Sequence, residues 1–133
     1  MSAAPAGFEP LEGIGPFAEL IGPLLARGEG EERVLGLRID ERHLNAGGKA
    51  MGGLLATLVD FAIGRAVHAA LDDDGGAVTV SLTTDFLGPA EPGEFVEAHT
   101  EVERLGGRLA FADCSLRVGD REVVRGRAVF AVL

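Results

Sequence analysis

One short stretch of the sequence places glycines, an amide and a carboxylate at a spacing that suits chemistry on a carbonyl group. Gly52 and Gly53 stand directly before an apolar run with helical spacing, so their amides belong to the first helical turn, where N–H groups lack partners. Such amides can hold a carbonyl oxygen that gains negative charge. Asp60 follows about two turns later, and its carboxylate can act as a base or a nucleophile. Asn45 offers an amide that can hold a water or a carbonyl.

The helix that positions Asp60 is predicted from the spacing of apolar residues. Over residues 54–71 they recur every three or four positions, which predicts one long helix with a broad apolar face. A shorter helix is predicted over Pro16 to Arg27, where Pro16 suits the first turn and Pro23 kinks or ends the helix. Residues 1–15 mix Ala, Pro and Gly with a few acids, which predicts a flexible arm before a single domain of residues 16–133.

Beyond the helix the hydrophobic period changes from that of a helix to that of half-buried strands. Four alternating segments joined by short turns predict an antiparallel meander over residues 77–87, 94–105, 108–118 and 123–133. Residues 33–40 alternate in the same way and add a fifth strand. Because helix and sheet each need cover for an apolar face, we expect an α+β domain in which a five-stranded antiparallel sheet wraps around the long helix.

The residues around the glycine-rich loop also carry a family resemblance. The pattern consists of His43, Asn45, Gly47, Gly48, Met51, Gly52, Gly53 and Asp60. It resembles the hotdog-fold acyl-CoA thioesterases, in particular the branch with the phenylacetate-pathway thioesterases and human thioesterase superfamily member 2. The likeness continues in PFAELIG before the loop and in TVSLTTDFLGPA, GGRLAFADCSLR and GRAVFAV after it. It therefore covers most of residues 16–133 and agrees with the order of elements above.

The resemblance implies roles for the residues of the loop, the helix and the next strand. Asp60 would be the general base or nucleophile that delivers water to a thioester, and the Gly52 amide would polarise the thioester carbonyl. Asn45 would position the carbonyl or the water. Thr79 lies where the family often has a hydroxyl that orients the water, and Ser81, expected on the same strand face, is the substitute candidate.

Other residues of the pattern are candidates for substrate contacts. Gly53 lets a ligand approach the backbone closely. His43 is interpreted first as a residue that shapes the loop and otherwise as a substrate contact. Met51 stands where the family usually has a histidine before the two glycines, so a flexible apolar thioether replaces an imidazole. It is expected either near the acyl group or at a subunit interface.

The resemblance also implies partners. In the family the site lies between two subunits, so a homodimer is expected, and often a homotetramer of two such dimers. Charge is unevenly spread: residues 1–103 hold 18 acids and 6 bases, whereas residues 104–133 hold 3 acids and 6 arginines. The family binds the nucleotide end of coenzyme A near these last strands. Arg104 and Arg108 are therefore expected to contact its phosphates, the alternative being ordinary ion pairs with glutamates.

Composition excludes several other classes of protein. The chain has 133 residues and a net charge of −9, which argues against nucleic acid or an anionic membrane as a partner. No apolar run approaches the ~18 residues of a membrane span, and MSAAPAGFEP does not resemble a secretory signal. A single cysteine, Cys114, and scattered histidines predict no metal site and no disulfide. We expect a cytoplasmic protein that needs no cofactor and meets coenzyme A only as part of its substrate.

Two functional hypotheses follow, with a third behind them. The first is an acyl-CoA thioesterase that hydrolyses a thioester to a free acid and CoA. The second is a hotdog protein that binds acyl-CoA, or is regulated by it, without turnover, which Met51 motivates. A dehydratase acting on hydroxyacyl thioesters is disfavoured, because no catalytic histidine is evident beside an acid at the site.

Overall fold

The long apolar segment forms the central helix of the computed structural model, which describes residues 4–71 and 75–133. This helix, α2, spans Gly52–Leu71, so it includes the two glycines before the predicted run. The side chains of its apolar face are buried: Leu55, Leu58, Val59, Ala62, Ile63, Ala66 and Val67. A shorter helix, α1, spans Pro16–Ile21. It ends before Pro23, which has no backbone N–H to continue a helix.

A single antiparallel sheet wraps around α2 in the order β1-β2-β3-β5-β6-β7-β4. Its strands are β1 Glu9–Pro10, β2 Leu25–Arg27, β3 Val34–Arg38, β4 Ala77–Phe86, β5 Phe95–Leu105, β6 Leu109–Val118 and β7 Arg121–Val132. The α+β class and the helix-in-sheet arrangement are as predicted. The acidic segment Asp72–Asp74, interpreted from the sequence as a solvated turn, lies outside the described residues.

The sheet has seven strands rather than the five predicted. The two extra strands, β1 and β2, are only two and three residues long and pair with each other. Strands this short carry too little alternation to be recognised from a pattern. β1 falls within the predicted arm, where Phe8 is buried and its ring meets Phe95 edge-on with centroids 5.0 Å apart. The described part of the arm therefore packs on the domain.

The predicted four-strand meander is wrong in one pairing. β5, β6 and β7 do form a meander, but β4 pairs with β7, and β5 pairs with β3. α2 carries the chain across the sheet, so β4 lies at the edge beside β7. The segment after β4 returns the chain across the sheet to β5, which pairs with β3. Ala90 in that segment is fully buried and accepts a hydrogen bond from the amide of Ala50. Residues 88–93, predicted as a short turn between two neighbouring strands, therefore belong to a crossover connection between β4 and β5.

A β-bulge in β4 separates two residues that were expected on one face. Thr79 is paired with Phe130, whereas Ser81 is paired with Val129, because the register shifts between Thr79 and Ser81. Directly opposed residues share a face, and neighbours along a strand do not. Thr79 therefore faces α2 together with Phe130, and Ser81 faces away from it.

The expectation that no segment could span a membrane by length is wrong for α2. Its 20 residues are long and apolar enough by length and composition alone. In the structure, however, its apolar face is the centre of the core, packed against the sheet. The core helix of a small domain meets the same criterion as a membrane span, since both need apolar side chains.

Helix and sheet approach each other closely at Gly126 in β7, and this contact yields a stability prediction. A Cβ atom at Gly126 would lie 2.5 Å from Cγ1 of the fully buried Val59. We expect Gly126→Ala to lower the free energy of unfolding by about 1–3 kcal/mol, the usual cost of overpacking, measured by urea denaturation. Gly107→Ala, where a Cβ would meet nothing within 4 Å, should change it by less than about 0.5 kcal/mol. Equal stability of the two variants would contradict the close packing.

Candidate active site

Asp60 and Thr79 form the polar centre of the candidate site. Asp60 lies in the third turn of α2, partly buried, and Thr79 lies on the facing side of the edge strand β4. Thr79 Oγ1 donates a hydrogen bond of 2.7 Å to Asp60 Oδ1. No other donor among the described residues contacts the carboxylate, so Oδ2 is free to accept a proton. The hydroxyl thus orients the carboxylate and leaves one oxygen for chemistry.

Asp60 opens onto two hollows in the surface. The larger is a groove of ≈ 620 Å³ that extends past Thr79 along the second half of α2, and the ring of Phe130 forms part of its wall. The smaller, of ≈ 280 Å³, lies between α2 and α1 and is lined by apolar residues and Thr57. Phe61 lines both hollows. A ligand whose reacting carbon lies at Asp60 therefore has space for a substituent on either side.

The N-terminus of α2 presents the glycine amides as predicted from the sequence. The amide of Leu55 donates to Met51 O at 3.1 Å, so the amides of Gly52 and Gly53 precede the first intrahelical hydrogen bond. A Cβ atom at Gly52 would lie only 3.5 Å from the Phe86 ring. Met51 itself is 53% exposed. The glycine amides, the helix dipole and the exposed thioether thus lie together at one end of α2.

His43 and Asn45 shape the loop before α2. His43 is buried, accepts a hydrogen bond from the Asp40 amide through Nδ1 at 2.9 Å and donates one from Nε2 to Ile21 O at 2.7 Å. Both ring nitrogens are therefore occupied within the chain. Asn45 Oδ1 accepts hydrogen bonds from the amides of Gly47 and Lys49 at 2.9 and 3.2 Å. Within residues 4–71 and 75–133 nothing accepts a hydrogen bond from Asn45 Nδ2, which leaves it as a donor for a ligand.

One chain does not bring all the predicted catalytic groups together. Gly52 and Asp60 are eight residues apart on α2, which separates them by about 12 Å along the helix axis. A thioester carbonyl is far too small to contact both. The candidate groups therefore fall into two half-sites: Asp60 with Thr79, and the Gly52 amide with Met51. Asn45 lies in the loop before the second half-site. The Ser81 hydroxyl belongs to neither, because the bulge turns it to the outer face.

Arg104 and Arg108 lie at the hairpin between β5 and β6, both exposed. Most arginines of the last strands have partners; Arg127, for example, contacts Asp113 at 3.0 Å. Among the described residues Arg104 and Arg108 make no side-chain hydrogen bond or ion pair. Ala110, just after the hairpin, is paired with Phe130, which is paired in turn with Thr79. The two free guanidinium groups therefore lie at the end of the sheet where Thr79 lies.

The described residues supply neither a thiol nucleophile nor a cluster of metal ligands to this site. Burial raises the pKa of Cys114 to about 12, so its thiol stays protonated at neutral pH and is not a nucleophile. No three His, Cys, Asp or Glu side chains cluster around a possible metal position in the described ranges.

Sequence reasoning missed Arg33 and Arg65, which line the larger groove with Asp60. Arg65 follows Gly64, one turn beyond Asp60, and that spacing is the only sequence signal that indicates it.

Comparison with known proteins places this arrangement in a family. The family described as "Thioesterase superfamily" matches residues 47–125. This range includes the loop from Gly47, α2, the strands β4, β5 and β6, and β7 as far as Arg125. This chain belongs to the thioesterase superfamily. It is 43% identical over 131 residues to "Putative esterase PA0474" of Pseudomonas aeruginosa, which covers 98% of each chain. Human "Acyl-coenzyme A thioesterase 13" is 35% identical over 82 residues, 60% of this chain and 56% of that protein.

Solved structures confirm the hotdog fold. A variant of the phenylacetic acid degradation protein PaaI from Thermus thermophilus superposes with a TM-score of 0.81 and 28% identity, covering 90% of this chain and all of that one. The resemblance to thioesterases of this branch is thereby confirmed. Membership of the thioesterase superfamily indicates hydrolysis of thioesters as the general class of activity.

Proposed function

We propose that this protein hydrolyses acyl-CoA thioesters to a free acid and coenzyme A. The observation that carries the proposal is the Asp60 carboxylate, held by the Thr79 hydroxyl at 2.7 Å at the head of a groove large enough for an acyl group. The names of relatives such as human acyl-coenzyme A thioesterase 13 support the substrate class.

The proposed reaction is an attack of water on the thioester carbon. Asp60 takes a proton from the water, whose oxygen bonds to the carbon, or the carboxylate attacks the carbon itself and water hydrolyses the resulting anhydride. The electron pair of the carbonyl moves to its oxygen, which the Gly52 amide stabilises. When the carbonyl re-forms, the C–S bond breaks, and the sulfur of CoA leaves as a thiolate that gains a proton. Asn45 Nδ2 holds the carbonyl or the water.

We propose that the complete site forms between two copies of the chain. Within one chain about 12 Å, or two helical turns, separate Gly52 from Asp60. The Gly52 amide of one copy would therefore act on the same substrate as the Asp60 carboxylate of the other copy. β4 offers the surface for this pairing. It is an edge strand of ten residues, with Val78 and Val80 49% and 61% exposed. Two β4 edges paired antiparallel would continue the sheet and cover both side chains. We extend the proposal to a tetramer made of two such dimers.

Arg104 and Arg108 are proposed to bind the phosphates of coenzyme A. Both guanidinium groups are exposed and without partners among the described residues, and they lie at the same end of the sheet as Thr79. Arginine binds phosphate oxygens through a planar set of donors. This local positive charge allows a chain of net charge −9 to bind a polyanionic substrate.

A second candidate function is the binding of acyl-CoA without turnover. Met51 favours it, because a thioether that is 53% exposed at the helix N-terminus supplies no hydrogen bond to a carbonyl.

Release of free thiol from a panel of short-chain, long-chain and arylacetyl-CoA esters separates the two functions. We expect thiol release well above the buffer rate for at least one ester, because neither the Gly52 amide nor the Asp60 carboxylate depends on residue 51. No release from any ester, together with tight binding of the same esters by calorimetry, would refute hydrolysis and support the binding function.

A further inference from the structure

Two arginines line the groove that begins at Asp60. Arg65 lies in α2, five residues after Asp60, and Arg33 lies directly before β3; both are partly buried. Arg65 also stacks on Phe61, with its guanidinium carbon 5.7 Å from the ring centroid. Neither residue belongs to the motif, the loop or the two half-sites described above. Asp60, Thr79 and His68 are the other polar residues of a lining that is otherwise apolar or glycine, so the two positive charges need a separate explanation.

Neither arginine has an anionic partner in the part of the chain that the structure describes. The Nε atoms of both are buried and have no hydrogen-bond acceptor. Among the described residues no carboxylate forms an ion pair with either one, although Glu31 and Glu32 lie on the turn just before Arg33. Asp60 accepts a hydrogen bond from Thr79 through Oδ1, and no described hydrogen bond or ion pair joins it to either guanidinium group. Both arginines therefore line the groove without an anionic partner among the described residues.

The two guanidinium groups also disfavour each other. Burial, with a further contribution from the positive charge of Arg33, lowers the pKa of Arg65 below its usual value. Arginine nevertheless stays charged at any physiological pH. Two like charges in a partly desolvated place are unfavourable unless an anion binds between or beside them. The chemistry of the groove therefore selects a small, negatively charged group.

The position of the pair relative to Asp60 limits the size of that ligand. Five residues of helix separate Asp60 from Arg65 by about 7.5 Å along the axis. This is the span of a short acyl chain whose thioester carbon lies at Asp60. A carboxylate at the other end of such a chain would reach the two guanidinium groups, which suit its two oxygens.

We propose that the groove binds acyl groups that end in a carboxylate, so that the preferred substrates are CoA monoesters of short dicarboxylic acids. Arg33 and Arg65 bind the terminal carboxylate and are determinants of specificity. This proposal rests on the proposed thioesterase function and names its substrate class.

Glutaryl-CoA and pentanoyl-CoA test the proposal, because they have the same chain length and differ only in the terminal carboxylate. We expect the kcat/KM of the wild type to be about 10- to 100-fold higher for glutaryl-CoA, the range of a charge-assisted hydrogen bond. Arg65→Met and, separately, Arg33→Gln should remove most of that preference and leave pentanoyl-CoA hydrolysis nearly unchanged. Arg125→Met, which removes an exposed arginine paired with Glu122 on the outer face, should leave both rates unchanged.

The outcomes distinguish this proposal from the proposed function. Hydrolysis of pentanoyl-CoA without any preference for glutaryl-CoA would overturn the carboxylate site and leave the thioesterase intact. An equal loss of kcat/KM for both esters in Arg65→Met and Arg33→Gln would assign the arginines to folding. A changed oligomeric state of these variants by light scattering would assign them to an ion pair with an acidic residue of a partner chain. Either result would also overturn the carboxylate site. If the wild type hydrolyses neither ester, calorimetry with Asp60→Asn decides: tighter binding of glutaryl-CoA, abolished by adding Arg65→Met, would still support the site, and equal binding would refute it.

Discussion

Asp60→Asn is expected to lower kcat/KM for acyl-CoA hydrolysis about 10³-fold, within the range attributed to general bases. The amide has nearly the shape of the carboxylate but does not take a proton from water. Its Oδ1 still accepts the hydrogen bond that Thr79 donates at 2.7 Å to the wild-type carboxylate. The side chain should therefore keep its position and lose only its chemistry. Thiol release from the best ester of the panel measures the effect.

A matched variant separates a loss of chemistry from a loss of charge or of fold. Asp120→Asn changes an exposed carboxylate in the turn before β7, where Arg117 bonds to the backbone oxygen of Asp120 and not to its side chain. It should keep wild-type activity. Asp60→Asn should match the wild type in its thermal unfolding midpoint and in its affinity for the ester. Full activity of Asp60→Asn would refute the assignment of the carboxylate.

The helix α2 and the place of Asp60 on it were predictable from the sequence because their signal is local. Apolar residues at helical spacing, two glycines before them and one acid among them define both the helix and the carboxylate within a stretch of 20 residues. The strands β5, β6 and β7 were predictable for the same reason, because each alternates over ten or more residues. Local patterns of that length outweigh most tertiary effects.

The position of β4 was not predictable from such patterns. Its alternation is the same whether it pairs with β5 or with β7, and only the course of α2 across the sheet decides between them. The bulge beside Thr79 leaves no mark in the sequence either, since alternation continues through Ser81. The consequence is functional, because the bulge keeps the Thr79 hydroxyl on Asp60 and removes the Ser81 hydroxyl from it.

The pair of Arg33 and Arg65 could not be predicted for a related reason. The two residues are 32 positions apart in the chain, and each alone is typical of a solvated surface charge. Only the packing of the residues before β3 against the second half of α2 brings both into one groove. A site made of residues distant in sequence thus becomes visible only after the fold is known.

Gly52→Pro is expected to lower kcat about 10²- to 10³-fold, the usual cost of losing one donor to an oxyanion. Proline has no N–H, yet it is favoured at the first position of a helix, so the helix should persist. Gly52→Ala is the matched control. It keeps the N–H, and its Cβ would meet the Phe86 ring at 3.5 Å, an ordinary contact. We expect Gly52→Ala to retain most of the activity and both variants to show the same helix content by circular dichroism. Equal activity of the two would exclude the amide from catalysis.

The same two variants test whether the site is shared between chains. Gly52→Pro and Asp60→Asn should each be nearly inactive alone, because every site lacks one group. If one chain supplies the amide and the other the carboxylate, a mixed dimer has one site with both groups intact and one with neither. Random pairing after joint refolding should then restore roughly a quarter of the wild-type activity. If both groups acted within one chain, every site in the mixture would lack one of them, and no activity would return. Because about 12 Å, or two helical turns, separate the two groups on α2, we expect the first result.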